Sequence, residues 1–341
     1  MPFSTLIGND RIKSMLKRAV AEGRIGQGLI LAGPSGIGKR QFAIALAQAV
    51  NCGRTSAGDA CGRCSSCMRI ALGEHLDVAS YSPDGQFIKI GQMREMSVEA
   101  HFKPLEGKRR VLIVDEADRL KIEAANSILK TLEEPPETSL VLLITSKPYA
   151  LLDTIRSRCQ LLSFAPLSTP DLEQFLGAEK RPAAETRLLA RLSRGSIGRS
   201  KEIELDVYRE RREIMLTLVE SALVDDDCVR LINSIEYLTK KIDREDFVPA
   251  IDNLLILLAD LFYLKMEAAA ASVTNVDVID RLGRVADKIS VQHITELVDR
   301  IELFLRALPR NVSRQVGLES VFLTAAVPVQ PIYALQAKGL I

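Results

Sequence analysis

The 341-residue chain has no tryptophan, and aromatic residues make up only 5% of it. Proteins that stack unpaired bases need a supply of aromatic rings, so a stacking platform is not expected here. A dominant charge is missing too: 45 Lys and Arg offset 44 Asp and Glu, leaving a net charge of +1. Bulk electrostatic binding of a polyanion is therefore not expected, and any contact with nucleic acid must be local or shared with partners. No apolar run approaches the roughly 18 residues that cross a bilayer. The opening Met1-Pro2-Phe3-Ser4-Thr5 lacks a basic stretch followed by an apolar segment. The expectation is a cytoplasmic chain, neither secreted nor membrane-spanning. Its length suggests two or three domains, and an apolar content of 47% is enough to bury a core.

The most informative stretch is Gly33-Pro34-Ser35-Gly36-Ile37-Gly38-Lys39-Arg40. It fits the phosphate-binding loop G-x-x-x-x-G-K-[ST] except at the last position. The glycines let backbone N–H groups turn toward phosphate oxygens, and Lys39 reaches the outer phosphates. Arg40 stands where a hydroxyl would hold Mg²⁺, and a guanidinium has no lone pair to offer a cation. An apolar run from Gly28 to Ala32 precedes the loop, and a helical pattern from Gln41 to Val50 follows it. An ordinary tight turn does not require that strand–loop–helix setting, whereas a phosphate loop does.

A second run, Val111-Leu112-Ile113-Val114, ends in Asp115-Glu116. It reads as a buried parallel strand delivering two carboxylates to its C-terminal edge. Alone this signal is weak. Beside a phosphate loop it is strong, with Asp115 orienting the Mg²⁺ shell and Glu116 polarising the attacking water. A helix is expected from about Leu120 to Leu132, stopped by Pro135-Pro136. Another buried strand, Leu140 to Ile144, ends at Thr145, either a sensor of the γ-phosphate or a simple strand cap.

Four of the six cysteines cluster: Cys52, Cys61, Cys64 and Cys67, spaced C-x8-C-x2-C-x2-C. This spacing favours a structural four-cysteine zinc site with no open coordination position. Free thiols, a redox pair and an iron–sulfur cluster are the alternatives. Cys159 and Cys228 read as small buried apolar residues. His75 and His101 show no metal-like spacing to the cysteines and read as solvated or hydrogen-bonded. Beyond Phe164-Ala165-Pro166 strand signals stop, short helices fill 168–202, and a helical pattern runs from about Val207 to Ala326.

Asn126-Ser127-Ile128-Leu129-Lys130-Thr131-Leu132-Glu133-Glu134-Pro135-Pro136 and Ser157-Arg158-Cys159-Gln160 resemble the AAA+ subunits of sliding-clamp loaders. So do Leu6-Ile7-Gly8-Asn9, the cysteine module after the first helix, and Gly195-Ser196. The likeness covers the first 205 residues well. Beyond them it rests on helical character, Arg310-Asn311-Val312 and Leu318-Glu319. The resemblance implies an α/β AAA+ fold: a parallel-sheet P-loop domain at 1–166 with the zinc module at about 52–67, a helical lid at 167–206 and an all-α collar domain at 207–341. It implies a cofactor site of Gly33, Gly36, Gly38, Lys39, Arg40 and Thr145, with ATP or ADP bound weakly or not at all. Asp115 and Glu116 would be vestigial acids, and Arg158 a finger completing a neighbour's ATP site in trans. Gly198 falls where ATP-hydrolysing members carry a phosphate-sensing arginine, and Arg199 is one residue out of register. The implied partners are gamma/tau and delta subunits in a five-membered ring, with the clamp and primed DNA reached through the complex. Two other readings stay open: an ATP-hydrolysing motor subunit of the same family, and a zinc-dependent nucleic-acid-binding module.

Overall fold

A computed structural model describes residues 1–178, 181–225, 227–267, 272–310 and 312–326. Asn311 and residues 327–341 of the expected C-terminal domain lie outside the described residues. Two compact units emerge: Met1–Arg181 with Ser193–Glu202, and Pro182–Leu192 with Ile203–Ile341.

The first unit is built on one sheet of five strands: β1 (Gly28–Ala32), β2 (Val78–Tyr81), β3 (Arg110–Val114), β4 (Ser139–Thr145) and β5 (Gln160–Ser163). The order is β2-β3-β4-β1-β5, and every pairing is parallel. β3 and β4 are buried along their whole length and β1 along nearly all of it, as their continuous apolar runs demand. Successive side chains alternate between faces. Leu29, Leu31, Val111, Ile113, Leu140 and Leu142 join one core, while Ile30, Leu112, Val114, Val141 and Leu143 join the other.

The helices of this unit are α1 (Asp10–Ala21), α2 (Lys39–Asn51), α3 (Ser65–Leu72), α4 (Ile90–Ala100), α5 (Ile122–Ser127), α6 (Leu129–Glu133), α7 (Asp153–Arg156) and α8 (Thr169–Gly177). The single helix expected from Leu120 to Leu132 is in fact a 3-10 turn at Ala117–Arg119 followed by α5 and α6. The break falls at Ile128, just after Ser127, whose hydroxyl donates to the Ala124 carbonyl at 2.7 Å. Such local hydroxyl bonds compete with the helical ladder.

The second unit is helical: α9 (Ala183–Leu192) belongs to it, whereas α10 (Ile197–Glu202) belongs to the first. It continues with α11 (Leu205–Leu223), α12 (Cys228–Lys240), α13 (Phe247–Lys265), α14 (Ile279–Lys288), α15 (Val291–Ala307) and α16 (Arg314–Ala326). Residues of α11 through α16 share one apolar core. Among the described residues α13 is long and apolar enough to cross a membrane, but half of it is buried as a core helix. It also carries buried Asp260, which accepts hydrogen bonds from the Thr274 and Asn275 backbone N–H groups and from Asn275 Nδ2. Cys228 departs from expectation. It opens α12 beside the capping carboxylate of Asp227 and is exposed, while Cys159 is buried as expected.

Candidate functional site

The phosphate loop joins the C-terminal end of β1 to α2, so the first backbone N–H groups of a 13-residue helix face the loop. The carboxylates of Asp115 and Glu116 follow β3, and Thr145 ends β4, which lies between β3 and β1. Ser35, Gly36, Gly38, Lys39, Arg40, Asp115, Glu116, Asp118 and Thr145 line one cavity of about 800 Å³. Residues separated by more than a hundred positions thus converge at the strand C-termini, where open α/β sheets bind ligands. Gly33 lies behind this lining; its N–H donates to the Thr145 carbonyl at 3.2 Å and ties the loop to β4.

The cations of the loop are already engaged. Lys39 is buried, and its ammonium donates to the Gly33 and Pro34 carbonyls at 2.6 and 2.7 Å. Burial lowers its pKa, with Asp115 and Asp118 pulling the other way. Arg40 Nε lies 3.4 Å from Asp115 Oδ2. The carboxylate expected to orient a metal shell therefore faces a guanidinium. Thr145 Oγ1 donates to Asp118 Oδ1 at 2.7 Å and accepts from the Lys147 N–H at 2.9 Å, which ties its hydroxyl into the end of β4. Asp118 was not singled out from the sequence. Its signal was faint: a third acid in Asp115-Glu116-Ala117-Asp118.

A second contact closes over the loop. The Gly198 N–H donates to the Gly36 carbonyl at 2.8 Å, and Ser196 Oγ donates to the Ser35 carbonyl at 3.1 Å. A Cβ on Gly198 would lie 2.8 Å from Gly36 Cα, and one on Gly36 would lie 2.3 Å from Ser196 Oγ. The two glycine backbones touch, so position 198 admits no side chain in this arrangement. An arginine there is sterically excluded, which gives a physical reason for the departure seen in the sequence.

Arg158 lies on the surface just beyond α7. Its Nη2 is 2.5 Å from Glu133 Oε1, and its Nη1 donates to the Thr154 carbonyl at 2.9 Å and to Ser157 Oγ at 3.1 Å.

The four cysteines come together as their spacing predicts. The sulfurs of Cys52, Cys61, Cys64 and Cys67 all lie within 4.8 Å of one another, and Cys52 Sγ is 3.9 Å from Cys64 Sγ. A tetrahedral ion with metal–sulfur bonds of about 2.3 Å places its sulfurs roughly 3.8 Å apart. The donor set therefore fits such an ion. The N–H groups of Arg54 and Cys61 point at Cys52 Sγ at 3.3 and 3.5 Å, suiting a thiolate there. Backbone N–H groups of Arg63 and Cys64 draw the Cys61 thiol down to about 6, whereas burial pushes Cys67 up. The module is sewn onto its unit. Gly58 has φ +75 and no room for a Cβ, which would fall 1.8 Å from the Lys17 carbonyl oxygen. Next to it, buried Asp59 accepts from the Phe3 and Ser4 N–H groups at 2.8 and 3.0 Å.

The histidines stay outside the cluster. His75 is buried, with Nε2 3.0 Å from Ser66 Oγ, and His101 Nδ1 lies 2.8 Å from the Ser97 carbonyl oxygen. Asp77 is fully buried and accepts from the N–H groups of Leu105, Glu106 and Gly107 at 2.8, 2.9 and 2.7 Å. Burial raises its pKa, but these three donors outweigh burial and leave it below the ordinary carboxylate value. Its contribution to stability is then present above the unfolded carboxyl pKa and is lost as pH falls through the depressed folded value. Asp77→Asn is expected to cost about 1–3 kcal/mol at pH 7, because one amide end opposes N–H donors. Urea unfolding at pH 7 and pH 3 measures this, and the gap between variant and parent should shrink at the lower pH.

A parallel sheet with a glycine loop between strand and helix, and paired acids after a nearby strand, is the architecture of a P-loop α/β domain. Comparison with known proteins narrows the class. The family described as "DNA polymerase III, delta subunit" matches residues 8–168. Over 211 residues the chain is 34% identical to DNA polymerase III subunit delta' of Bacillus subtilis, covering 62% of this chain and 64% of that one. It is 32% identical over 202 residues to DNA polymerase III subunit tau of Escherichia coli, covering 57% of this chain and 31% of the other. The chain thus spans less than two thirds of the length of these relatives. A solved gamma subunit-related protein of DNA polymerase III from Thermotoga maritima overlays with a TM-score of 0.38 at 20% identity, covering 92% of this chain and 97% of the other. That overlay is too loose to bear on function. Over these segments the chain is similar to DNA polymerase III clamp-loader subunits, among them delta'.

Proposed function

We propose that the chain is a delta'-type subunit of the DNA polymerase III clamp loader, acting in the cytoplasm. It helps load the sliding clamp on primed DNA without hydrolysing ATP itself. One observation carries the second half of this reading: Arg40 occupies the position of the metal-binding hydroxyl and pairs with Asp115. In an active P-loop site, Mg²⁺ bridges the outer phosphates and neutralises charge developing in the transition state. Here the loop residues still offer anion binding. Backbone donors persist at the start of α2, and Lys39 can exchange its two carbonyl partners for phosphate oxygens. Arg40 adds a second positive charge that needs no metal. The expected behaviour is weak, metal-independent nucleotide binding, with Asp115, Glu116 and Thr145 holding the shape of the pocket.

Residues 1–166, 167–206 and 207–341 would then serve as the P-loop domain, lid and collar, the collar joining the chain to gamma/tau and delta in a five-membered ring. Arg158 would act on the ATP of the adjacent subunit. The four cysteines would hold a structural Zn²⁺, which suits an all-thiolate tetrahedral set. The purified chain tests the catalytic part directly. Mg²⁺–ATP turnover by the chain alone is expected at background level. Robust magnesium-dependent turnover would contradict the reading and favour the motor-subunit alternative.

A further inference from the structure

Glu133 ends α6 and Arg158 follows α7, 25 positions later, yet their side chains meet at 2.5 Å. Both are partly exposed, at 33% for Arg158 and 46% for Glu133. The two arms of the guanidinium are held differently. Nη1 is fixed to its own turn through the Thr154 carbonyl and Ser157 Oγ. Those contacts use neutral acceptors and keep the positive charge available. Nη2 faces a full negative charge instead.

We propose that Glu133 is an intramolecular counter-anion that restrains Arg158 until charge developing in the transition state on the phosphate of a neighbouring subunit's ATP displaces it. This rests on the trans-acting role of Arg158 proposed above. The carboxylate oxygen takes the same Nη2 donor that a phosphate oxygen would, so the two acceptors compete for it. Nη1 keeps its backbone anchor during the exchange, so the guanidinium stays aimed while Nη2 changes partner. Glu133 is thus a positioning residue that holds the arginine without touching the reacting atoms. Exposed ion pairs are weak, so the restraint is a small one, a factor of about 2–5. It acts as a threshold that favours a fully developed phosphate charge over incidental anions.

The test uses the assembled clamp loader, with the phosphate-loop lysine inactivated in every subunit except the one facing Arg158, so that turnover reports a single site. Glu133→Gln is expected to raise kcat about 2–5-fold with KM for ATP unchanged, because the finger's charge matters most in the transition state. In an Arg158→Ala background the same change should do nothing. Glu134→Gln, which removes an equal charge one residue away, should leave kcat at the parent value. Matching zinc content and circular dichroism establish that each variant is folded. Unchanged kcat in Glu133→Gln, or a fall like that of Arg158→Ala, overturns the restraint while leaving the finger in place. Parent-level kcat in Arg158→Ala overturns the finger itself, and the restraint with it.

Discussion

Cys64→Ser is expected to release one equivalent of bound zinc and to loosen residues 52–67. Three thiolates leave an open tetrahedral corner, and the four sulfurs lie within 4.8 Å of one another, close enough for one ion to gather them. Structural zinc in isolated finger peptides contributes about 10–16 kcal/mol of folding free energy. Less should be lost here, because Cys52, Cys67 and Ile70 also pack into the apolar core that α2 shares with the sheet. The damage should therefore be local. Asp59 links the module to the N–H groups of Phe3 and Ser4, so the N-terminal turn should loosen with it. Elemental analysis measures the metal. Hydrogen exchange should show faster exchange at 52–67 and at the first residues, with β1, β3 and β4 still protected. Absence of metal in the parent protein, or iron in place of zinc, contradicts the assignment.

Arg158→Ala is expected to leave the fold and the cysteine cluster intact and to impair the assembled complex. Its own-chain contacts are one exposed ion pair and two bonds within a turn, whose removal costs little stability. Arginine fingers elsewhere contribute about 10³–10⁵ in rate at the site they complete. Total turnover should fall only by the share passing through the adjacent site, so a partial defect in steady-state ATPase is expected alongside a larger defect in clamp loading. Arg158→Lys should be nearly as harmful, because a point charge does not reproduce the planar fork. Clamp-stimulated hydrolysis by the reconstituted loader measures both variants. Parent rates in either would count against the role.

Much of the first unit was legible because its signals are local. β1, β3 and β4 are continuous apolar runs, and both nucleotide motifs sit on the strand ends that their chemistry requires. The cysteine cluster was legible because close spacing leaves little freedom. The short edge strands were harder. β2 is Val-Ala-Ser-Tyr, with neither an apolar run nor clean alternation, and β5 is the four residues Gln160–Ser163, mostly exposed. Other features depend on distance in space. The backbone contact of Gly36 with Gly198 joins positions 162 apart, and neither glycine alone announces it. The inward turn of Lys39 onto Gly33 and Pro34 is a rotamer choice with no sequence signature. Glu133 meets Arg158 only because α6 and α7 pack together.

As a delta'-type subunit, the chain would complete a clamp loader without being one of its motors. Reconstitution measures that most directly: gamma/tau, delta, the clamp and primed DNA are combined with and without the purified chain, and clamp-dependent ATP hydrolysis is followed. The predicted result is a stable complex and stimulated hydrolysis only when the chain is present, with none by the chain alone. Equal hydrolysis and clamp loading without the chain, or failure of the chain to enter the complex, would contradict the claim.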